Sequence, residues 1–195
     1  MRLLDLYINA IRIIMMIFTA YFIYKKQYKI IISTGTVFAA TFLLVFLDKI
    51  FKIKVDIVGS YLYITIITMT MFLGNAFKFY DKFAWWDRLI HFLSGIVFVS
   101  FAVAISKNAE HLEKLHTLFF GFTYAVSHHV LWEVMEYLSD CLFRSDNQRW
   151  QKKNKTVNHV SPTAIQPAGL VDTMNDTIIC IIGTLAACTA WWFFL

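Results

Sequence analysis

The stretch DRLIHFLSGIVFVSFAVAIS, residues 87–106, decides the fold class of this chain. After Arg88 it contains no Asp, Glu, Lys or Arg, and an α-helix of this length rises about 30 Å. That rise matches the hydrocarbon thickness of a typical bilayer. The stretch therefore predicts a membrane-spanning helix whose first two turns carry the ionisable side chains Asp87 and His91.

Apolar runs of similar length recur along the whole chain. Of all residues, 58% are hydrophobic and 16% are charged, whereas a soluble domain has about 45–50% apolar and about 25% charged residues. The composition and the runs together predict an all-α fold, a polytopic membrane helix bundle of about six helices in a single domain. The predicted spans are 4–24, 30–47, 55–77, 87–106, 115–138 and 172–195, and a polar loop at 141–171 separates the last two.

The Lys and Arg residues lie mostly between the apolar runs. With the N-terminus outside, eleven of them fall on the cytoplasmic side and six on the other. The excess of cytoplasmic Lys and Arg in membrane proteins favours both termini outside. No basic stripe interleaved with aromatic residues is present, so we expect membrane lipids as partners and no nucleic acid.

Three predicted spans carry their ionisable residues on one helix face. Side chains three, four or seven positions apart share a face. The stripes lie at the N-terminal end of the fourth span, the C-terminal end of the fifth and the N-terminal end of the sixth. In an up-and-down bundle these ends meet at one level, which the Lys and Arg count places near the cytoplasmic face. The three stripes consist of Asp87, His91 and Ser94; of His129, Glu133, Glu136 and Asp140; and of Asp172, Asp176 and Cys180.

Charged groups inside a bilayer are costly and need partners, water or a function. Carboxylates with imidazoles bind divalent cations, so the pattern predicts a metal site for Mg, Mn or Zn. The predicted metal ligands are Asp87, His91, Glu133, Glu136, Asp172 and Asp176. Of these, His91, Glu133 and Glu136 are also the candidate catalytic residues, while Arg149, Lys152 and Lys153 of the polar loop are candidate substrate-binding residues for a phosphate headgroup.

Structural interpretations of the same residues stay open. Asp87 and Asp172 begin their helices and could only complement the helix dipole. His91 could be an interior histidine with satisfied hydrogen bonds, and the glutamates could only hold helices together. Arg12 shares a face with Asn9 and is expected to pair inside the bundle, as a structural partner or with the acidic residues.

Three motifs on the last three spans resemble those of a known family. WDRLIHFLSG at 86–95, WEVMEY at 132–137 and VDTMND at 171–176, followed by Gly183, are similar to the motifs of the YjdF-type family of bacterial inner-membrane proteins. The Asp-x-x-x-His opening is also similar to VanZ-like membrane proteins. The resemblance implies a multi-pass protein of the bacterial cytoplasmic (inner) membrane and leaves its activity open. The pair His128 and His129 and the basic stretch 149–155 depart from the family pattern.

Three functions fit these observations. The first is a membrane-embedded, metal-dependent hydrolase or transferase acting on a lipid or lipid-linked substrate. The second is an ion- or proton-coupled small transporter or channel that uses the same acidic residues. The third is a non-catalytic accessory or immunity protein. A transporter would need polar residues that continue to the other membrane face, and the fourth and sixth spans have few.

Overall fold

The computed structural model describes residues 2–107, 113–148 and 167–195, and these ranges contain helices and loops without a β-strand. The predicted all-α polytopic bundle is confirmed. The helices are α1 (Arg2–Tyr24), α2 (Tyr28–Ala40), α3 (Leu43–Phe51), α4 (Ile57–Ile67), α5 (Phe79–Lys82), α6 (Trp86–Ser106), α7 (Lys114–Phe143) and α8 (Ala168–Phe194), and a π-helical segment, Thr68–Gly74, continues α4.

Five helical segments are long and apolar enough to cross a membrane: Leu3–Tyr24, Ile30–Phe51, Ile57–Gly74, Trp86–Ser106 and Gly169–Phe194. Helix α7 has 30 residues but is not among them, because its histidines and acidic residues lower its hydropathy. It nevertheless packs against both α6 and α8. The fifth span, predicted at 115–138, corresponds to α7, which is the helix with the longest polar stripe.

The predicted second span is interrupted between α2 and α3, at Thr41 and Phe42. Arg12 of α1 binds at this break, donating to Thr41 Oγ1 at 2.9 Å and to the Thr41 carbonyl at 3.2 Å. Its guanidinium also lies 4.1 Å from the centre of the Phe42 ring and donates to Asn9. Arg12 therefore pairs inside the bundle with neutral groups, in the first half of the molecule.

Four basic residues occupy left-handed backbone conformations where helical segments end or begin: Lys26, Lys52, Lys78 and Arg144, with φ between 53° and 58°. A residue in this conformation stops an α-helix and reverses the chain. A positive side chain there also complements the negative end of the helix dipole. Since basic residues favour the headgroup region of a membrane, we expect these positions to lie near the bilayer surfaces.

Two separate hydrophobic clusters divide the bundle. The first joins α1, α2 and the π-helical segment around Met15, Val37 and Phe72. The second joins α6, α7 and α8, and its buried members are Val99, Val103, Ala125 and Ala187. Helix α4 packs against α6 and links the two halves. The three helices that carry the polar stripes therefore form one packed unit.

The ends of α7 and α8 differ from the sequence-based boundaries. Helix α7 continues through Phe143, into the predicted polar loop, and α8 already begins at Ala168. Each helix is thus extended at the end where its acidic residues lie. These residues sit within regular helix rather than at a frayed terminus, so their side-chain directions are fixed.

Candidate functional site

The N-terminal turns of α6 bring Asp87 and His91 together. The two residues are one helical turn apart, and His91 Nε2 lies 3.5 Å from Asp87 Oδ1. The same nitrogen lies 3.8 Å from Asp176 Oδ2 on α8. His91 and Asp176 are 5% and 6% exposed. The predicted stripes of the fourth and sixth spans therefore meet at one buried imidazole.

Two glycines allow α6 and α8 to approach this closely. A Cβ atom added at Gly95 would lie 2.5 Å from the Cys180 carbonyl oxygen, and one added at Gly183 would collide with the backbone of Phe92. Small residues permit such close backbone contact between membrane helices. The glycines thereby fix the separation of α6 and α8 at the level of His91 and Asp176.

Helix α7 contributes a second histidine and carboxylate pair. His129 Nε2 lies 3.6 Å from Glu133 Oε1, one turn further along the helix, and both residues are buried. His129 Nε2 also lies 3.0 Å from Thr177 Oγ1 of α8, within hydrogen-bonding distance. The His129 ring meets the His91 ring edge to face, with 5.0 Å between their centroids. All three stripe-bearing helices therefore converge on the two imidazoles.

One oxygen of Glu133 has no hydrogen-bond partner among the described residues. Oε1 is fully buried, and its 3.6 Å separation from His129 Nε2 exceeds hydrogen-bonding distance. The carboxylate does form a hydrogen bond with Thr173 of α8. Leaving a buried charged oxygen unpaired is costly. A cation or a proton at Oε1 would remove this cost.

The side chains form two sets of potential metal ligands that share His91. One set is Asp87, His91 and Asp176, and the other is His91, His129 and Glu133. Within each set the ligand atoms lie within 4.8 Å of one another. Ligands about 2.1 Å from a tetrahedral metal lie about 3.4 Å apart, so slight contraction of either set would enclose an ion.

Several predicted site residues fall outside these two sets. Glu136 is half-buried, and its Oε1 accepts a hydrogen bond of 2.7 Å from Trp132 Nε1. Asp172 is also half-buried. The predicted phosphate contacts Arg149, Lys152 and Lys153 lie outside the described residues.

His129 is the site residue that the sequence-based ligand prediction missed. The sequence puts His129 on the polar stripe of the fifth span, but not among the predicted ligands. The signal was present, because His129 and Glu133 have the same four-residue spacing as Asp87 and His91. Two such pairs on adjacent antiparallel helices at one level indicate a shared site.

A shallow, open groove, called the lateral cleft below, runs along the outside of the bundle between α7 and α8 and reaches this site at Glu133. Its volume is about 270 Å³. On α7 its walls include Val130, Val134 and Tyr137, each about half exposed. Glu133 also lines the cleft. The remaining lining residues are Thr173 and Thr177 of α8 and Gln148, which follows α7.

Comparison with protein families gives one match, a family described as predicted membrane protein DUF2238, whose model covers residues 6–195. The chain belongs to this family. A search of curated proteins and a search of solved structures each found no match. Membership agrees with the membrane class that the composition and the apolar runs predict. The YjdF-type assignment and the similarity to VanZ-like proteins stay predictions.

Proposed function

We propose that this protein is a membrane-embedded, metal-dependent hydrolase or transferase that acts on a lipid or lipid-linked substrate. The observation that carries the proposal is the buried, unpartnered Oε1 of Glu133 beside the imidazole of His129. A hydrogen-bonded acid would suffice to join helices. An oxygen without a partner, facing two histidines, suits a metal ligand better.

The charge of the site supports a bound cation. Asp87, Glu133 and Asp176 bring three carboxylates into one part of the bundle, and the ion-pair partners of the last two are histidines. Buried carboxylates without strong cationic partners are unstable unless they take up protons or a metal. A set of two imidazoles and three carboxylates favours Zn or Mn over Mg, because Mg prefers oxygen ligands and water.

The residues around the ligands have defined roles in this proposal. Asp87 lies beside His91 Nε2 as a member of the same ligand set, and Thr177 contacts His129 Nε2 and would help to hold that ring in place. Glu136 lies one turn from Glu133 and outside both ligand sets, so it is available as a general acid or base. A bound metal would supply Lewis acidity and lower the pKa of a coordinated water. The surrounding helices exclude bulk water.

Two observations favour a lipid substrate. Two of the three helices that form the site, α6 and α8, are apolar enough to cross a membrane, and the lateral cleft opens between exposed apolar side chains of α7. A substrate that diffuses in the bilayer would reach Glu133 along this path. We place the protein in the bacterial cytoplasmic membrane, with the site near the cytoplasmic face, on the basis of the motif resemblance and the Lys and Arg count.

The packing beyond the site argues against a transport path. The other half of the α6–α8 unit is filled by Val99, Val103, Ala125 and Ala187. These side chains are almost completely buried, and the buried polar side chains described in this half are hydroxyls, those of Ser100, Ser106, Thr117 and Thr184. The buried histidines and carboxylates among the described residues all lie in the other half, with the site. The described part of the bundle is therefore closer to a buried site that is reached from the side than to a channel.

Elemental analysis and lipid turnover together test the proposal. Detergent-purified wild type and Glu133→Gln would be analysed for bound metal and then incubated with total membrane lipids, and the products would be identified by mass spectrometry. We expect one or more equivalents of metal in the wild type, a loss in the variant and a lipid product that only the wild type forms. Wild-type protein without metal would refute the proposal.

A further inference from the structure

The loop after α7 folds back over the lateral cleft. Arg144 has a left-handed backbone conformation, with φ of 53°, which ends the helix and turns the chain. Asp140, in the last turns of α7, then collects three hydrogen bonds from this loop. Oδ1 accepts from Ser145 Oγ at 2.7 Å and from the Asn147 backbone N–H at 2.8 Å, and Oδ2 accepts from the Gln148 backbone N–H at 3.0 Å.

This arrangement places the Gln148 side chain in the cleft. Gln148 Nε2 donates to Thr173 Oγ1 at 3.1 Å, and Thr173 in turn hydrogen-bonds the Glu133 carboxylate. The side-chain amide is thus connected through one hydroxyl to the residue that we propose as a metal ligand. An amide has two donor hydrogens and an acceptor oxygen, so Gln148 has capacity for a further partner.

The lining of the cleft has an apolar part and a polar part. The wall formed by Val130 and Val134 is apolar and about half exposed, which suits an acyl chain. The polar part of the lining consists of the Gln148 amide, the hydroxyls of Thr173 and Thr177, and the Glu133 carboxylate. An amphipathic molecule therefore fits the cleft with its acyl chain against Val130 and Val134 and its hydrogen-bonding head beside Gln148.

We propose that the cleft binds a phospholipid whose headgroup carries hydroxyl groups, with Gln148 selecting the headgroup and Asp140 positioning Gln148. This inference rests on the proposed function, because the phosphate would lie at the metal ligands. A neutral amide and hydroxyls match a glycerol-type head. An ammonium head would bring its positive charge beside the proposed metal ligand Glu133, where a bound cation would disfavour it, and a choline head has no donor for the amide oxygen.

Competitive lipid binding tests the assignment. Detergent-purified protein would be mixed with equimolar phosphatidylglycerol, phosphatidylethanolamine and phosphatidylcholine of identical acyl chains, and the retained lipids would be counted by native mass spectrometry. We expect phosphatidylglycerol to be favoured by about fivefold or more, the net value of one hydrogen bond. Gln148→Ala should remove this preference. Equal retention by the wild type, a preference for phosphatidylethanolamine, or an unchanged preference in Gln148→Ala would overturn the inference.

Asn147→Ala is the matched control. Asn147 is the neighbouring amide, is exposed, and its side chain donates to Ser145 rather than lining the cleft. This variant should keep the wild-type lipid preference. Since neither substitution alters the net charge, attraction of an anionic lipid to a basic protein would affect both variants equally.

The positioning role of Asp140 has its own variant. Asp140→Asn replaces one of the two acceptor oxygens with an amide nitrogen, so at least one of the three donors to Asp140 loses its acceptor. We expect the preference for phosphatidylglycerol to fall at least twofold at an unchanged metal content, whereas a purely structural role would leave the preference intact. Metal analysis of the same samples separates the two proposals. Metal with no lipid preference overturns the cleft assignment alone, and absence of metal from the wild type overturns the proposed function.

Discussion

His91 on α6 and His129 on α7 meet edge to face, with ring centroids 5.0 Å apart and ring planes at 84°. Each imidazole has a carboxylate one helical turn away on its own helix, Asp87 for His91 and Glu133 for His129. The site is therefore built from two similar local pairs, joined by contacts to α8. A local pair is encoded in a short sequence, and only the packing of the helices brings two of them together.

Substitution of His129 should distinguish a metal site from helix packing. His129→Ala removes a proposed ligand, so we expect metal affinity to fall by more than about tenfold, since even neighbours of metal ligands have effects of that size. His128→Ala is the matched control, because its Nδ1 contacts the Tyr124 carbonyl at 2.8 Å and its ring stacks on Phe98. Titration with Zn followed by elemental analysis measures both variants. An equal loss of metal affinity in the two variants would contradict the assignment of His129 as a metal ligand.

The two glutamates of α7 should have separable roles. Glu133→Gln is expected to lower metal content by more than about tenfold, because Glu133 Oε1 belongs to a ligand set. Glu136→Gln should keep the metal and slow lipid turnover by about 10²-fold, the lower range for a lost general acid or base. Elemental analysis and product formation, measured on the same preparations, test both expectations. Loss of metal from Glu136→Gln would show that the ligand set is different.

The glycine contact between α6 and α8 should be sensitive to one added methyl group. In Gly183→Ala the new Cβ collides with the backbone of Phe92, and overpacking of this kind costs about 1–3 kcal/mol. Gly35→Ala adds the same atom where nothing lies within 4 Å. There the higher helix propensity of Ala should stabilise the protein by up to about 1 kcal/mol. Thermal unfolding in detergent should show a lower melting temperature for Gly183→Ala alone.

These results show which parts of the fold a sequence can predict. The apolar run at 87–106 predicted α6 to within one residue of Trp86–Ser106, because its hydrophobicity ends sharply at both sides. The end of α7 was misjudged. The predicted span ends at 138 and the predicted loop begins at 141, but α7 continues to Phe143, and Asp140 binds the returning chain through Ser145 and two backbone N–H groups. That contact depends on the path of the loop, which hydropathy does not contain.

The candidate site could also be predicted only in part from the sequence. The spacing of Asp87 and His91 fixed their proximity, and up-and-down topology placed the three stripes at one level. Spacing alone could not give the rotation of each helix about its axis. That rotation brings Asp176 to His91 and leaves Asp172 and Glu136 outside the ligand sets. For α6 and α8 this rotation depends on the close packing at Gly95 and Gly183, whose partners lie on another helix.

Asp140 gives the protein an acid-sensitive contact beyond the predicted fifth span. Burial raises the pKa of Asp140, but hydrogen bonds from Asn147, Gln148 and Ser145 outweigh it and leave the pKa below its usual value. A lowered pKa stabilises the folded state above the unfolded value of about 3.9, and this stability is lost as pH falls through the folded pKa. The melting temperature difference between wild type and Asp140→Asn should thus be constant above about pH 5 and shrink below pH 4. A difference in melting temperature that grows on acidification would contradict a lowered pKa for Asp140.

The position of Cys141 allows the membrane orientation to be tested. Cys141 is exposed near the end of α7, whereas Cys180 is buried beside Gly95. If the site faces the cytoplasm, a membrane-impermeant maleimide should label Cys141 in inverted membrane vesicles and not in intact cells. Cys141→Ser should abolish the labelling, which would show that neither Cys180 nor Cys188 contributes to it. Labelling in intact cells would place the α7 end, and with it Glu133 and the lateral cleft, at the outer face. A cytoplasmic substrate could then no longer reach the site, and the proposed lipid chemistry would have to occur in the outer leaflet.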